Sequence, residues 1–189
     1  WQVGVNIIAL GIKSHGQVSW ISRNRYMEYY VKIYQRTLKG MTLLMDIRRP
    51  SYCELKEVLL LSPQAVFDGT LGEVKPTIEK VKSLMEPLLE KGSYYLIATE
   101  NGKIIGWILL GASKDQFTDK MNGFIYELFV KEEFRGNGVS KLLMRTAIDQ
   151  LRLNGYSEVR LSAFAGNQAI KLYEKMGFKL RTVSMSLPL

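Results

Sequence analysis

Tyr126-Glu-Leu-Phe-Val-Lys-Glu-Glu-Phe-Arg-Gly-Asn-Gly-Val-Ser140-Lys-Leu-Leu143 is the stretch that decides the fold. It begins inside a nearly continuous apolar run, residues 124–130, of the kind expected for a strand buried on both faces. Lys131, Glu132 and Glu133 end the run. Arg135, Gly136 and Gly138 then form a turn, after which Val139, Leu142, Leu143, Ala147, Ile148 and Leu151 recur at helical spacing as far as Asn154-Gly155. Glycines at such a turn let the backbone come close to a ligand. The unpaired N–H groups and dipole at a helix start suit a phosphate or pyrophosphate. The local pattern alone fits an ordinary strand-to-helix turn equally well. A dinucleotide fingerprint is excluded, since it would need a third glycine where Lys141 stands, and no GxxxxGK[ST] phosphate loop occurs anywhere.

On the N-terminal side of this stretch, residues 43–48 read as a strand. Pro50 ends it, and Ser51-Tyr-Cys-Glu54 is a capping box that opens a helix to about Leu61. Residues 62–74, with Pro63, Gly69 and Gly72, read as a loop. Pro76 suits the first turn of a second helix, in which Ile78, Val81, Leu84, Met85, Leu88 and Leu89 recur until Gly92 stops it, with a kink expected at Pro87. Two β-rich runs, 94–99 and 103–110, flank Asn101-Gly102, a strong hairpin signal. Residues 113–122 form a polar loop. On the C-terminal side, 157–164 alternates as a strand, and Asn167 caps a helix carrying Ala169, Leu172, Tyr173 and Met176 that Gly177 stops. Residues 178–187 read as a last strand whose apolar phase changes between Leu180 and Val183. The order predicts an α/β fold: a mixed sheet flanked by helices, with one parallel crossover.

Composition narrows the function. The chain has 189 residues, 47% of them hydrophobic, so it can bury a core without staples. Cys53 is the only cysteine and His15 the only histidine, which argues against a disulfide, a metal site or a histidine-based triad. The longest mostly apolar run, residues 3–12, is too short to span a bilayer. Of the 26 basic and 18 acidic residues behind the +8 net charge, residues 1–40 hold six basic ones against Glu28 alone, so the rest of the chain is nearly balanced. We therefore expect two parts: 1–40, a basic appendage of unknown role with a basic helix over 24–39, and 41–189, the functional domain. Nucleic acid is not expected as a partner, and neither is a membrane. A cytoplasmic monomer or homodimer is expected.

Two segments resemble a known family. Arg135-Gly-Asn-Gly138-Val-Ser140 is similar to the coenzyme-A-binding motif [RQ]-x-x-G-x-[GA] of the GNAT N-acetyltransferase superfamily, with Ser140 in place of the final Gly or Ala. Asn167-Gln-Ala-Ile-Lys-Leu-Tyr173-Glu-Lys-Met-Gly177-Phe178 resembles the family's N-x-x-A-x-x-L-Y-x-x-x-G-F segment. The motifs stand in the family's order with one strand between them, and the resemblance covers about residues 43–187. It implies acetyl-CoA as donor, a primary amine as acceptor, direct transfer and no metal. It implies that the pantetheine arm pairs with the strand edge at Leu128, Phe129 and Val130. The backbone N–H groups of Arg135, Gly136, Asn137, Gly138, Val139 and Ser140 would hold the pyrophosphate. Asn167 would bond the pantetheine arm or simply cap its helix. Tyr173 is implied as the general acid for the departing thiolate, and a phenol near pKa 10 can protonate a thiolate near 8.5.

Glu127, the only charge within 124–130, is a candidate general base, because a carboxylate in an apolar strand must be paired, hydrated or functional. Strand alternation leaves open whether it faces the thioester. Two other functions stay open: a non-catalytic acyl-CoA sensor of the same fold, and nucleic-acid binding through the basic arm.

Overall fold

The computed structural model describes the backbone of residues 17–24, 27–38 and 41–189, with side chains from Met45 onward. The apolar run 3–12 and His15 lie outside the described residues. Among the described residues, seven strands form one sheet in chain order: β1 (Gln17–Asn24), β2 (Met27–Leu38), β3 (Met41–Arg48), β4 (Tyr94–Glu100), β5 (Lys103–Lys114), β6 (Met121–Val130) and β7 (Val159–Leu161). Neighbours are antiparallel except β6 and β7, which are parallel. The mixed sheet flanked by helices is thus as the sequence predicts. The expected basic helix over 24–39 is not formed: β2 occupies Met27–Leu38 and pairs with β3. Its run of Tyr29, Tyr30, Val31, Ile33, Tyr34 and Thr37 has the β-branched and aromatic content that favours a pleated surface over a helix.

Helices α1 (Tyr52–Gly69) and α2 (Ile78–Glu90) cover one face of the sheet. There Val58, Ala65, Val81 and Met85 bury against Tyr95, Ile97, Trp107, Leu109 and Phe129. Helix α3 (Val139–Leu153) covers the other face, where Val139, Leu143, Met144, Ala147 and Leu151 meet Ile47, Leu96, Ile108, Leu110 and Ile125. The short α4 (Ala169–Lys175) adds Tyr173 and Met176 to the rim of this second core.

Several expected boundaries move. The capping box at Ser51 forms in both directions, and Arg48 draws the Glu54 carboxyl down to about 2. Helix α1 runs on through Pro63, eight residues past the expected end, because Ser62 and Ala65 are buried against the sheet. Packing of that face outweighs the lost rung, which costs about 3 kcal/mol in an isolated helix. At Asn101-Gly102 both residues have positive φ, 51° and 75°, as a tight primed hairpin turn requires.

Strand β7 is only three residues long, and no strand forms over 178–187. Instead Phe178 packs on the core rim and Arg181 pairs with Asp115 at 3.1 Å. Asp115 is buried and also accepts from Arg160 and from the backbone N–H groups of Phe117 and Thr118, both at 2.9 Å. The Arg160 guanidinium, then those N–H groups, hold its carboxyl well below the usual range. The last segment is therefore anchored by one ring and one ion pair rather than by a ladder.

Candidate active site

The shortness of β7 shapes the site. Only Gly123, Phe124 and Ile125 of β6 pair with β7, whereas β5 pairs with β6 along its whole length to Val130. Among the described residues, Tyr126 to Val130 thus have a strand on one side only. An unpaired strand half presents alternating N–H and C=O groups outward. Leu128, Phe129 and Val130 lie on this open edge.

A bulge sits where the edge opens. Leu110 pairs with Ile125 and Leu109 with Glu127, so Tyr126 is an extra residue in the ladder. Ile125, Leu128 and Val130 consequently pack on the α3 side, while Glu127 and Phe129 lie on the α1 side. Trp107 stacks on Phe129 with ring centroids 4.5 Å apart.

Beyond Val130 comes a single 3-10 turn, Glu132–Phe134, and then Arg135. Gly136 and Gly138 both take left-handed conformations, φ 77° and 79°, with open space where a Cβ would stand. Gly138 is the N-cap of α3 and brings no side-chain cap. The helix ladder begins with Leu142 N–H on Gly138 C=O at 3.1 Å, so the N–H groups before it point outward from the helix start. Val139 is buried and Ser140 half-buried, while Asn137 is exposed and its side chain donates to Phe134 C=O at 3.3 Å. Arg135 donates through Nε to Val130 C=O at 2.9 Å and pairs with Asp68 at the end of α1.

Glu127 is buried and fully engaged. Trp107 Nε1 donates to Oε1 at 2.6 Å, Tyr95 OH to Oε2 at 3.2 Å, and the Ser62 hydroxyl lies 3.1 Å from Oε1. Burial raises its pKa, against the pull of Trp107, Ser62 and Tyr95. The sign of the linkage follows. A carboxyl whose folded pKa lies above its unfolded value, about 4.3, contributes stability that is present below the unfolded pKa. That contribution is lost as pH rises through the folded pKa. Glu127→Gln should therefore gain stability relative to the wild type as pH rises from 4 to 8. Paired thermal melts across that range check this, and a flat difference would refute it.

Tyr173 lies on the other side of the sheet. Its half-buried ring packs at the rim of the α3-side core that Leu128 also joins, 6.1 Å from the Phe178 ring in an edge-on arrangement. Burial alone raises its phenol above the ordinary value. Asn167 stands one residue before the N-cap of α4, Gln168, rather than at the cap itself; its Oδ1 accepts from Ala169 N–H at 2.9 Å, and its Nδ2 donates to Gly69 C=O at 2.9 Å. The fold thus ties the glycine turn and Asn167 to the end of α1 through Asp68 and Gly69, sets Tyr173 on the core rim that Leu128 shares, and puts Glu127 on the opposite face.

Trp107, Tyr95 and Ser62, the partners of Glu127, carry no sequence signal as a cluster. Asp68 and Gly69 were hidden because Pro63 makes their segment read as a loop. A cleft of about 440 Å³ lies on the α1 side of the edge, lined by Leu61, Gln64 and Asp68 of α1 and by Phe129, Glu133 and Arg135 among others. Among the described residues no group of His, Cys, Asp or Glu is placed to hold a metal, and no helix is long and apolar enough to cross a membrane.

A sequence profile of the acetyltransferase (GNAT) family matches residues 64–178, more than half of the chain. The chain belongs to the GNAT acetyltransferase family. This acetyltransferase is 30% identical over 129 residues to the uncharacterized N-acetyltransferase YdgE of Bacillus subtilis, covering 65% of this chain and 80% of that protein. It is 34% identical over 93 residues to human N-acetyltransferase 8, covering 49% of this chain but only 41% of the human protein. Among solved structures, its fold is similar to that of a putative acetyl transferase from Pyrococcus furiosus, with TM-score 0.65, 22% identity and 77% and 99% of the two chains covered. It is also similar to aminoglycoside N-acetyltransferase AAC(6')-Iy in complex with CoA, with TM-score 0.60, 20% identity and 80% and 99% covered.

Proposed function

We propose that this enzyme moves an acetyl group from acetyl-CoA directly to a primary amine of an acceptor. The observation that carries this reading is the unpartnered half of β6 opening beside the start of α3. Pantetheine contains two amides, and Leu128, Phe129 and Val130 offer an edge on which they pair as a strand would. The backbone N–H groups from Arg135 through Gly136, Asn137, Gly138 and Val139 to Ser140 receive the pyrophosphate, helped by the α3 dipole. The donor supplies an activated thioester, so no metal is required.

Tyr173 serves as the acid. Its raised phenol stays protonated at neutral pH, so its O–H is available to the departing thiolate. Glu127 serves as the base from the α1 side, directly or through water. Its raised pKa makes it a better proton acceptor for an ammonium than an ordinary carboxylate. We further propose a cytoplasmic enzyme, monomeric or homodimeric, with acetyl-CoA and an amine as its partners and neither nucleic acid nor membrane among them.

The test is an amine panel read by free CoA thiol, alongside acetyl-CoA binding by calorimetry. Thiol release that depends on the amine supports transfer. Binding without release from any amine would support an acyl-CoA sensor instead, and absence of binding would refute both. Bound donor at about 100 times its dissociation constant should add about 2.7 kcal/mol of stability.

We also propose that residues 1–40 are dispensable. β1 and β2 join the sheet only through β3, far in strand order from β6. A chain beginning at Met41 should keep its transfer rate. Loss of transfer with circular dichroism unchanged would make the N-terminal strands part of the site.

A further inference from the structure

Helix α3 carries two contrasting sides. Leu143, Met144, Ala147 and Leu151 are buried against the sheet. Lys141, Arg145, Ile148 and Arg152 stand four, three and four residues apart, so they form one stripe along a different side of the helix. The end of α4 lies opposite this stripe. There Lys175 and Met176 close a cleft of about 330 Å³ against it, with Asp149 as the one carboxylate in its wall. Ile148 and Met176 are half-buried, while Lys141, Arg145, Arg152 and Lys175 are exposed. The cleft therefore has an apolar floor and a cationic rim.

Three features set this rim apart from an ordinary solvated helix face. Lys141 and Arg145 are like charges one turn apart, a spacing at which they repel. Lys141 sits in the first turn of α3, which holds no acidic residue, so its charge opposes the helix dipole. Arg152 pairs with Asp149 at 3.3 Å, whereas Lys141, Arg145 and Lys175 form no ion pair among the described residues. A multiply charged anion set among these three offsets both the repulsion and the dipole mismatch.

The cleft also begins where the donor's pyrophosphate is proposed to end. Lys141 follows Ser140 directly; it lies about one turn past Gly138, and Arg145 about two. In coenzyme A the pyrophosphate and the 3′-phosphate hang from the 5′- and 3′-oxygens of one ribose, which also carries the adenine. With the pyrophosphate on the glycine turn, the 3′-phosphate stays within reach of side chains as long as Lys141 and Arg145.

We propose that this cleft receives the 3′-phosphoadenosine end of the donor. Lys141, Arg145 and Lys175 take the 3′-phosphate, and Ile148 and Met176 lie under the adenine. This rests on the reading that acetyl-CoA binds at residues 135–140. Arg145 offers a planar fork of donors to the phosphate, and the two lysines act as point charges. The thioether of Met176 is polarisable and suits a ring. The enzyme thereby distinguishes CoA from dephospho-CoA through contacts remote from the thioester.

Calorimetric titration with acetyl-CoA and with acetyl-dephospho-CoA, which lacks only the 3′-phosphate, tests this. The wild type should bind acetyl-CoA at least about 10-fold more tightly, the scale of one hydrogen bond to a charged group. Arg145→Gln and Lys175→Gln change exposed side chains on different helices, so a folding defect in one leaves the other as readout. Each should weaken acetyl-CoA by about 10-fold and leave acetyl-dephospho-CoA unchanged, so that the preference shrinks. Equal affinity of the wild type for the two donors would overturn the proposal. A preference undiminished in both variants would overturn it too, by placing the 3′-phosphate elsewhere. If neither donor binds, the donor reading itself fails and the cleft assignment with it.

Discussion

Tyr173→Phe is expected to lower kcat by about 10²-fold, the low end for losing a general acid, with acetyl-CoA affinity unchanged. The substitution removes one oxygen and keeps the ring that packs at the core rim against Phe178. The proposed pyrophosphate contacts lie on the turn before α3, a different helix, and the phenol oxygen is no part of them, so donor binding has no reason to fall. A lower kcat at constant donor affinity marks an interaction made only in the transition state. Because burial raises the phenol, the acid form should persist to higher pH than an ordinary tyrosine allows. The alkaline limb of the wild-type profile should therefore lie above about 10 and vanish in the variant. Equal losses of stability and donor binding would make Tyr173 a packing residue. A wild-type rate, with chemistry shown to be limiting, would mean that the thiolate leaves unassisted.

Gly138→Val is expected to weaken acetyl-CoA binding by at least about 10²-fold, or 2.7 kcal/mol. Gly138 sits at φ 79° and ψ 3°, a conformation that costs a branched residue roughly 1–2 kcal/mol. No atom of the protein lies within 4 Å of the new Cβ, so the fold has room for it. The methyl groups instead enter the space in front of the α3 N–H groups, where the pyrophosphate would sit. Gly155, at φ 87° and equally open, lies just past the far end of α3 and makes the control. Gly155→Val should lose similar stability in a thermal melt and no donor affinity. Parallel losses of affinity in both variants would trace the effect to strain, and unchanged affinity in Gly138→Val would remove the turn from the donor site.

Much of this site was legible in the sequence because its parts are local. A glycine turn, a helix start and an asparagine that bonds the backbone two residues on each depend on neighbours within a few residues. The open edge at Leu128, Phe129 and Val130 was legible only through the family resemblance, since it arises from how early β7 stops. What could not be read depended on distant partners. Trp107 and Tyr95 reach Glu127 from β5 and β4, strands whose runs look simply apolar. Pro63 is a strong local stop signal, but burial of one face of α1 overrides it, and with it the end of α1 was misplaced. The strand expected over 178–187 failed for the converse reason. Its residues alternate well enough, but Leu180, Val183, Met185 and Leu187 are exposed and no described strand pairs with them.

The extra residue at Tyr126 acts on the sheet as a frameshift acts on a reading frame. Before it, odd-numbered Ile125 faces α3; after it, odd-numbered Glu127 and Phe129 face α1. Absorbing Tyr126 into a regular ladder, with register kept at Val130, would turn Ile125 and everything before it to the wrong face. Deletions of one residue should accordingly be tolerated in the polar loop between β5 and β6, where no face has yet been assigned. At position 126 the same deletion would set Ile125 directly beside Glu127, each on its present face, and would remove only the added twist of the bulge. The faces that Ile125 presents to α3 and Glu127 to α1 are thus written in a single surplus residue.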